Sequence, residues 1–399
     1  MPVSDRVRAA MREGSWIRKM FEEGVVLKQR YGAAAVFDLS LGNPIMEPPP
    51  GLDEELRRLA NNPLPGMHRY MENAGYPETR AAVAAQLSRE TGLDFTFKDI
   101  IMTCGAAGAL NVVLKTILDP AGEVILFAPY FVEYANYIDN HGGVLRVLPA
   151  GAGFMPRPDL LEQAINPRTR AVIINSPNNP TGVVYSQDAL RAVAAVLQEK
   201  EAALGTEIYL VSDEPYRRII FDGLEYPSPL LHHARTIVVN SHSKDLALPG
   251  ERIGYIALHP ECPGRDDLLN GFTYCNRTLG YVNAPALMQR LVSKLQDTTV
   301  DVGRYQATRD FLYTRLKDLG YSLVRPQGAF YMFPETPVED DVAFVREMQE
   351  LKVLVVPGRG FGCPGHFRIS YCVDDRTIEG AIPAFAALAK KYDLKKQSA

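Results

Sequence analysis

Cysteine is scarce in this chain. Five occur among 399 residues (Cys104, Cys262, Cys275, Cys363 and Cys372), an odd number with no CxxC pair. That pattern argues against a disulfide framework and for reduced thiols in a cytoplasm. An excess of one charge is also missing. Forty-three Lys and Arg against 47 Asp and Glu leave a formal net charge of −4, which gives no electrostatic footprint for nucleic acid or an anionic membrane. No apolar run reaches bilayer-spanning length. The first residues carry Asp5, Arg6, Arg8, Arg12 and Glu13 where a signal peptide would have its apolar core. The seven histidines are scattered, and His232-His233 has neither carboxylate nor cysteine company, so no metal site is expected.

What is present is ordinary for a globular protein: 46% hydrophobic and 23% charged residues, in a chain long enough for two domains. Residues 4–31 read as two helical pieces, with Ser15 a candidate cap for the second. A strand-like segment at 36–41 runs into Gly42-Asn43-Pro44 and three prolines, a break in regular structure. From 52 to 290 strands and helices alternate. Strands are expected at 100–103, 124–127, 144–148, 171–175, 208–212, 236–239 and 253–258, with helices at 80–90, 106–118 and 187–204 between them. Such alternation implies a mostly parallel, seven-stranded sheet covered on both faces. Ligands of such sheets sit beyond the carboxyl ends of the strands. Beyond 300 the pattern is a separate α+β unit: helices at 301–319, 338–350 and 374–392, with strands at 329–333, 353–356 and 367–371. The expected fold class is therefore α/β with a smaller α+β domain. The expected division is 45–295 for the large domain, and 1–44 with 296–399 for the small one.

The strand ends carry the chemistry. After 236–239 comes Ser241-His242-Ser243-Lys244, and eight residues beyond the lysine a Pro-Gly turn returns Arg252 to its side. A lysine at the end of a buried strand is paired, neutral or covalently committed. An amine beside a guanidinium suits a ligand bearing both an aldehyde and a phosphate, which describes pyridoxal 5′-phosphate; the bland alternative is a surface Lys and Arg flanking a loop. After 100–103 comes Cys104-Gly105-Ala106-Ala107-Gly108-Ala109, small residues opening a helix whose N-terminus favours a phosphate. A tight turn explains them equally well, and they match neither GxGxxG nor the P-loop. In the loop after 171–175 the Pro and Gly spacing by itself reads as a turn; the functional reading is that Asn179 donates to a ring oxygen. Asp213 ends the 208–212 strand. It needs a partner there, either a protonated pyridine nitrogen or, as an N-cap, the next helix.

Together SHSKDLALPGERIGY, NNPTG, DEPY and GAAGAL resemble the class I aminotransferases, of pyridoxal phosphate fold type I, over most of the chain from Gly42 to Arg368. The resemblance implies that Lys244 binds the cofactor covalently and, once displaced, shuttles the proton. Arg252, Ser241, Ser243 and the amides of Ala106 and Ala107, following Gly105, would hold the phosphate. Asp213 would face the pyridine nitrogen, and Asn179 and Tyr216 the ring hydroxyl oxygen. Phe131 would stack on the ring, where many relatives have Trp or Tyr. Tyr70 would reach the phosphate of the neighbouring subunit of a homodimer. Arg368 would grip the substrate α-carboxylate, with Gly42 leaving room; a structural salt bridge is the alternative for this arginine.

The implied activity is transfer of an amino group between an L-amino acid and a 2-oxo acid. A carbon–sulfur β-lyase or decarboxylase on the same scaffold is the rival, and a cofactor-sensing regulator a remote one. Dicarboxylate-preferring relatives carry a side-chain-reading arginine just before an Asn-x-Pro segment. Here Arg277 falls one residue short of that place, which Thr278 occupies, so an aspartate preference is not favoured. Leu39, Tyr274, Phe330 and Tyr331 are candidates for an apolar or aromatic side-chain pocket.

Overall fold

A computed structural model of the chain describes residues 2–13 and 16–395. Ser15, the expected helix cap, lies outside the described residues. The strands in chain order are β1 (Phe37–Asp38), β2 (Ile100–Thr103), β3 (Glu123–Ala128), β4 (Val144–Pro149), β5 (Thr169–Asn175), β6 (Tyr209–Asp213), β7 (Thr236–Ser241), β8 (Gly254–Leu258), β9 (Tyr331–Met332), β10 (Val353–Leu354), β11 (Val356–Pro357) and β12 (Phe367–Ser370). Seven form one sheet in the order β2-β8-β7-β6-β5-β3-β4. All are parallel except β8, which runs antiparallel to both its neighbours. A second sheet, β11-β12-β9, is antiparallel, and β1 pairs with β10 in parallel. The fold is α/β, as expected, with the reversed β8 as a detail that alternation alone did not show.

The central strands are apolar without alternation because both faces are covered. Val172, Ile174 and Leu210 pack under the helix Gln187–Leu204, while Ile173, Val211 and Val239 pack against the helices Gly105–Ile117 and Arg265–Thr278. Local chemistry sets the helix limits. Ser186 accepts from the Ala189 amide and Gly205, at φ +62°, closes the far end of Gln187–Leu204. Asp301 and Asp374 cap the helices Val302–Asp318 and Asp375–Lys391 in the same way. A further core joins Met20 and Leu39 to Phe330, Phe344, Phe367 and Phe385, and takes in Tyr216, Ile219 and Phe221 from the loop after β6. That loop is therefore held by this core, while Asp213, which precedes it, ends a strand of the large sheet.

The expected strand at 36–41 reduces to Phe37–Asp38. Beyond it the Ser40 amide and hydroxyl both turn back to the Asp38 carboxylate, and the Ser40 carbonyl is taken by Arg368. Six of the described helices were not anticipated: Pro50–Asn61, Glu133–Asn140, Pro158–Ala164, His242–Asp245, Arg265–Thr278 and Ala286–Val292. Among the described residues no helix is long and apolar enough to cross a membrane.

Candidate active site

The carboxyl ends of β2, β3, β5, β6 and β7 open on one side of the large sheet, and the loops that follow meet in a cleft of about 270 Å³. The reversal of β8 completes it. Because Ser241 lies opposite Gly254 in the antiparallel register, the residues before β8 fall beside the residues after β7, which sets Arg252 next to Ser241, Ser243 and Lys244.

Of the residues singled out in the sequence, Lys244, Asp213, Tyr216, Asn179, Ser241, Ser243, Arg252, Ala106, Ala107, Phe131, Arg368 and Gly42 all line this cleft. Gly105 stands one step behind. At φ +73° it starts the helix, and a Cβ there would lie 3.0 Å from the Arg252 guanidinium, so its bareness admits the arginine. Tyr70 is elsewhere: 88% exposed, it borders a surface hollow with His68, Arg69 and Asn283. Of the four side-chain-pocket candidates, Tyr331 alone lines the cleft. Leu39 and Phe330 are sealed in the core and Tyr274 is 59% exposed. Arg277 stacks over Tyr274 on the exposed end of its helix and does not line the cleft, and Thr278 is exposed beside it. The apolar lining comes instead from Ile17, Leu110, Phe131 and Pro249.

Two groups in the cleft carry a buried polar atom without a partner, and a third, Lys244, is held by a backbone carbonyl. Asp213 accepts from the Tyr134 hydroxyl at 2.5 Å through Oδ2, but its buried Oδ1 has no hydrogen-bond partner. Burial pushes its carboxyl up to about 7, against the pull of the Tyr134 hydrogen bond, with neighbouring Glu214 pushing the same way as burial. Lys244 donates to the Gly42 carbonyl at 2.7 Å. Burial lowers its ammonium to about 8, and Arg368 and Arg252 push it further down. Arg368 is 1% exposed, and no carboxylate pairs with it among the described residues. Its Nη1 donates to Asn179 Oδ1 at 3.0 Å and its Nη2 to the Ser40 carbonyl. Its Nε has no partner, and burial lowers its pKa. The salt-bridge alternative for Arg368 therefore finds no acid.

Gly42 is bare for a reason the sequence did not suggest. A Cβ there would collide with the hydroxyl of Tyr331, which hydrogen bonds to the Tyr216 hydroxyl at 2.9 Å. Sequence reasoning also passed over Tyr134, the partner of Asp213. Its one signal was a position three residues after Phe131, and only the placing of the helix Glu133–Asn140 beside the end of β6 shows that it meets the carboxylate. Ile17 left no signal, since its helix, Trp16–Tyr31, reaches the cleft from the other end of the chain.

The family model described as aminotransferase class I and II matches residues 34–385. The chain belongs to this family. It is thus a transaminase of the pyridoxal-phosphate-dependent, fold type I kind. Among its relatives, a probable aspartate/prephenate aminotransferase of Thermus aquaticus is 37% identical over 87% of this chain and 90% of its own length. An aromatic-amino-acid aminotransferase of Thermococcus litoralis is 32% identical over 99% of this chain and all of its own. Among solved structures, an aminotransferase of Eubacterium rectale superposes with a TM-score of 0.95 at 39% identity, covering 98% of this chain and 100% of its own. The aspartate aminotransferase of Thermus thermophilus, solved with maleate, gives 0.85 at 31% identity over 97% and 100%.

Proposed function

We propose that the chain transfers amino groups from an L-amino acid to a 2-oxo acid, 2-oxoglutarate being the first candidate, in a ping-pong sequence within this cleft. The observation that carries the reading is a set of three groups, two of them with a buried polar atom left unpartnered. One cleft holds a buried carboxylate oxygen, an amine lowered to about 8 and a guanidinium without an acid. Their chemical complements are a protonated ring nitrogen, an aldehyde and a substrate carboxylate. Pyridoxal phosphate, when bound, supplies the aldehyde and an electron-withdrawing ring.

The residues present fit that group. Asp213 Oδ1 would accept from the ring nitrogen and, as an anion, keep it protonated. Asn179 and Tyr216 would address the ring oxygen, and Phe131 would cover one face of the ring. Ser241, Ser243, Arg252 and the amides at the start of Gly105–Ile117 would take the phosphate. Arg368 holds the amino acid by its carboxylate and so orients the Cα proton towards Lys244. A free lysine titrates near ~10.4; the neutral amine that burial favours here can take up that proton.

We infer further that the division into 45–295 and 1–44 with 296–399 is that of a large cofactor domain and a small one. We also infer that the working unit is a homodimer in which exposed Tyr70 serves the partner's phosphate. Because Arg277 stays outside the cleft, the reading favours no aspartate specificity from one subunit alone.

The test is a panel of amino donors against 2-oxoglutarate, with 2-oxo acid products and the visible spectrum followed together. Amino-group transfer with two half-reactions supports the reading. Pyruvate released from cystathionine without any acceptor would replace it with β-lyase chemistry, and carbon dioxide release with decarboxylation. Lys244→Ala should remove both turnover and the visible band.

A further inference from the structure

We propose that Tyr331 is a positioning residue that aims the Tyr216 hydroxyl and braces the Arg368 guanidinium. It thereby couples the part of the cleft assigned to the cofactor ring oxygen with the part assigned to the substrate carboxylate. The proposal rests on those two assignments.

The geometry begins in the small sheet. Tyr331 lies opposite Ser370 in the β9–β12 register, so it shares a face with Arg368, two residues back along β12, as a diagonal neighbour. The Arg368 Cζ sits 4.7 Å from the centroid of the Tyr331 ring and 4.9 Å from that of Phe361. All three side chains are buried, where a cation against an aromatic face is worth most. With Nη1 on Asn179 and Nη2 on the Ser40 carbonyl, the guanidinium is held by its rings and its edge, and Nε is left without a partner.

The hydroxyl has a separate task. Tyr331 and Tyr216 share one hydrogen bond of 2.9 Å, and each hydroxyl owns a single hydrogen. If Tyr216 donates to Tyr331, its hydrogen is spent. If Tyr331 donates, the Tyr216 hydrogen is free to point into the cleft, and the Tyr216 oxygen is polarised by the bond it accepts. A negatively charged ring oxygen beside Tyr216 selects the second arrangement. Seating this hydroxyl costs the chain a side chain at 42, since a Cβ on Gly42 would collide with it and lie 2.9 Å from the ring carbon that carries it. Gly42 is not at positive φ, so glycine is needed there for space, not for backbone freedom.

The two tasks separate experimentally. A donor on the ring oxygen stabilises its negative charge, which favours loss of the proton from the Lys244–cofactor link and lowers the pH midpoint of the visible absorbance. Tyr331→Phe keeps the ring and removes the hydroxyl. It should raise that midpoint by about 0.5–1 pH unit, the worth of one neutral hydrogen bond, with little change in KM. Phe361→Leu touches Arg368 but not Tyr216. It should raise KM for the amino acid on the order of tenfold and leave the midpoint in place. In a Tyr216→Phe background, Tyr331→Phe should cause no further shift, because the hydroxyl acts through Tyr216.

An unmoved midpoint in Tyr331→Phe, or an additional shift in the double variant, would overturn the proposal. A parent protein that shows no visible band with pyridoxal phosphate would instead remove the cofactor assignment beneath it. Should Tyr331→Phe not fold, Gly42→Ala displaces the same hydroxyl from the opposite side. A raised midpoint there supports the proposal and an unchanged one overturns it.

Discussion

Burial acts on Asp213 and Lys244 with opposite sign, since it disfavours the charged form of each: the acid rises to about 7 and the base falls to about 8. For Asp213 this has a consequence for stability. Below its ordinary value of 3.8 the carboxyl is protonated in folded and unfolded chains alike. Between 3.8 and about 7 the unfolded chain has lost that proton and the folded one keeps it, so stability falls as pH rises through this window. Above it the full penalty remains, at most about 4 kcal/mol. Asp213→Asn should therefore raise the Tm of the cofactor-free protein at pH 8 and leave it nearly unchanged at pH 4. The same variant should lose most of the extra Tm conferred by added pyridoxal phosphate. A lower Tm at pH 8 without cofactor would show that Oδ1 is already satisfied. For Arg368 the expectation concerns its fork. Arg368→Lys keeps the charge but loses bidentate geometry, so KM should rise for every amino acid, by roughly tenfold or more. A rise for one substrate alone would mean that Arg368 reads a side chain.

The element that completes the site is the one strand that runs backwards. Parallel strands bring only the residues after their carboxyl ends to the cleft, whereas β8 delivers what precedes it, Arg252 at φ +53°. The close fit at that turn falls on Gly254, whose Cβ would strike the Asn240 carbonyl and lie 2.9 Å from the backbone of Gly105. Gly254→Ala should cost roughly 2–4 kcal/mol, read as a lower urea midpoint. It should also weaken cofactor binding, because Arg252 and the helix start move together. A stable variant with normal affinity would show that the turn is slack. Strands such as 171–175 and 236–239 were legible because burial on both faces leaves unbroken apolar runs. The helix Arg265–Thr278 was not, since Asp266, Asp267, Asn270 and Gly271 blur its period and only its packing on Gly105–Ile117 reveals it.

At the scale of the whole molecule, the shared-site reading has a direct test. Neither Tyr70→Ala nor Lys244→Ala should be fully active alone. After the two are mixed through a reversible dissociation step, half the dimers are hybrids, and each hybrid has one site with both native residues. Recovery of up to about a quarter of the native sites is then expected for a two-fold dimer. No recovery, with hybrids verified by mass, would mean that each subunit completes its own site.

Most of the cleft lining was legible in the sequence. Lys244, Arg252, Asp213, Asn179, Ala106 and Ala107 each sit in a short contiguous motif at the end of, or beside, a recognisable strand, and strands pointing the same way bring such ends together. What the sequence alone determined was thus the chemical inventory and its order. Tertiary structure decided the rest. Ile17 reaches the cleft and Tyr134 reaches Asp213 by contacts across long stretches of chain, which leave no local pattern, and the hydrogen bond that joins Tyr331 to Tyr216 is of the same kind. The unmet hydrogen bonds of Asp213 and Arg368 and the shifted proton affinities of Asp213, Lys244 and Arg368 come from exclusion of water by the packed fold, a property no stretch of sequence possesses alone.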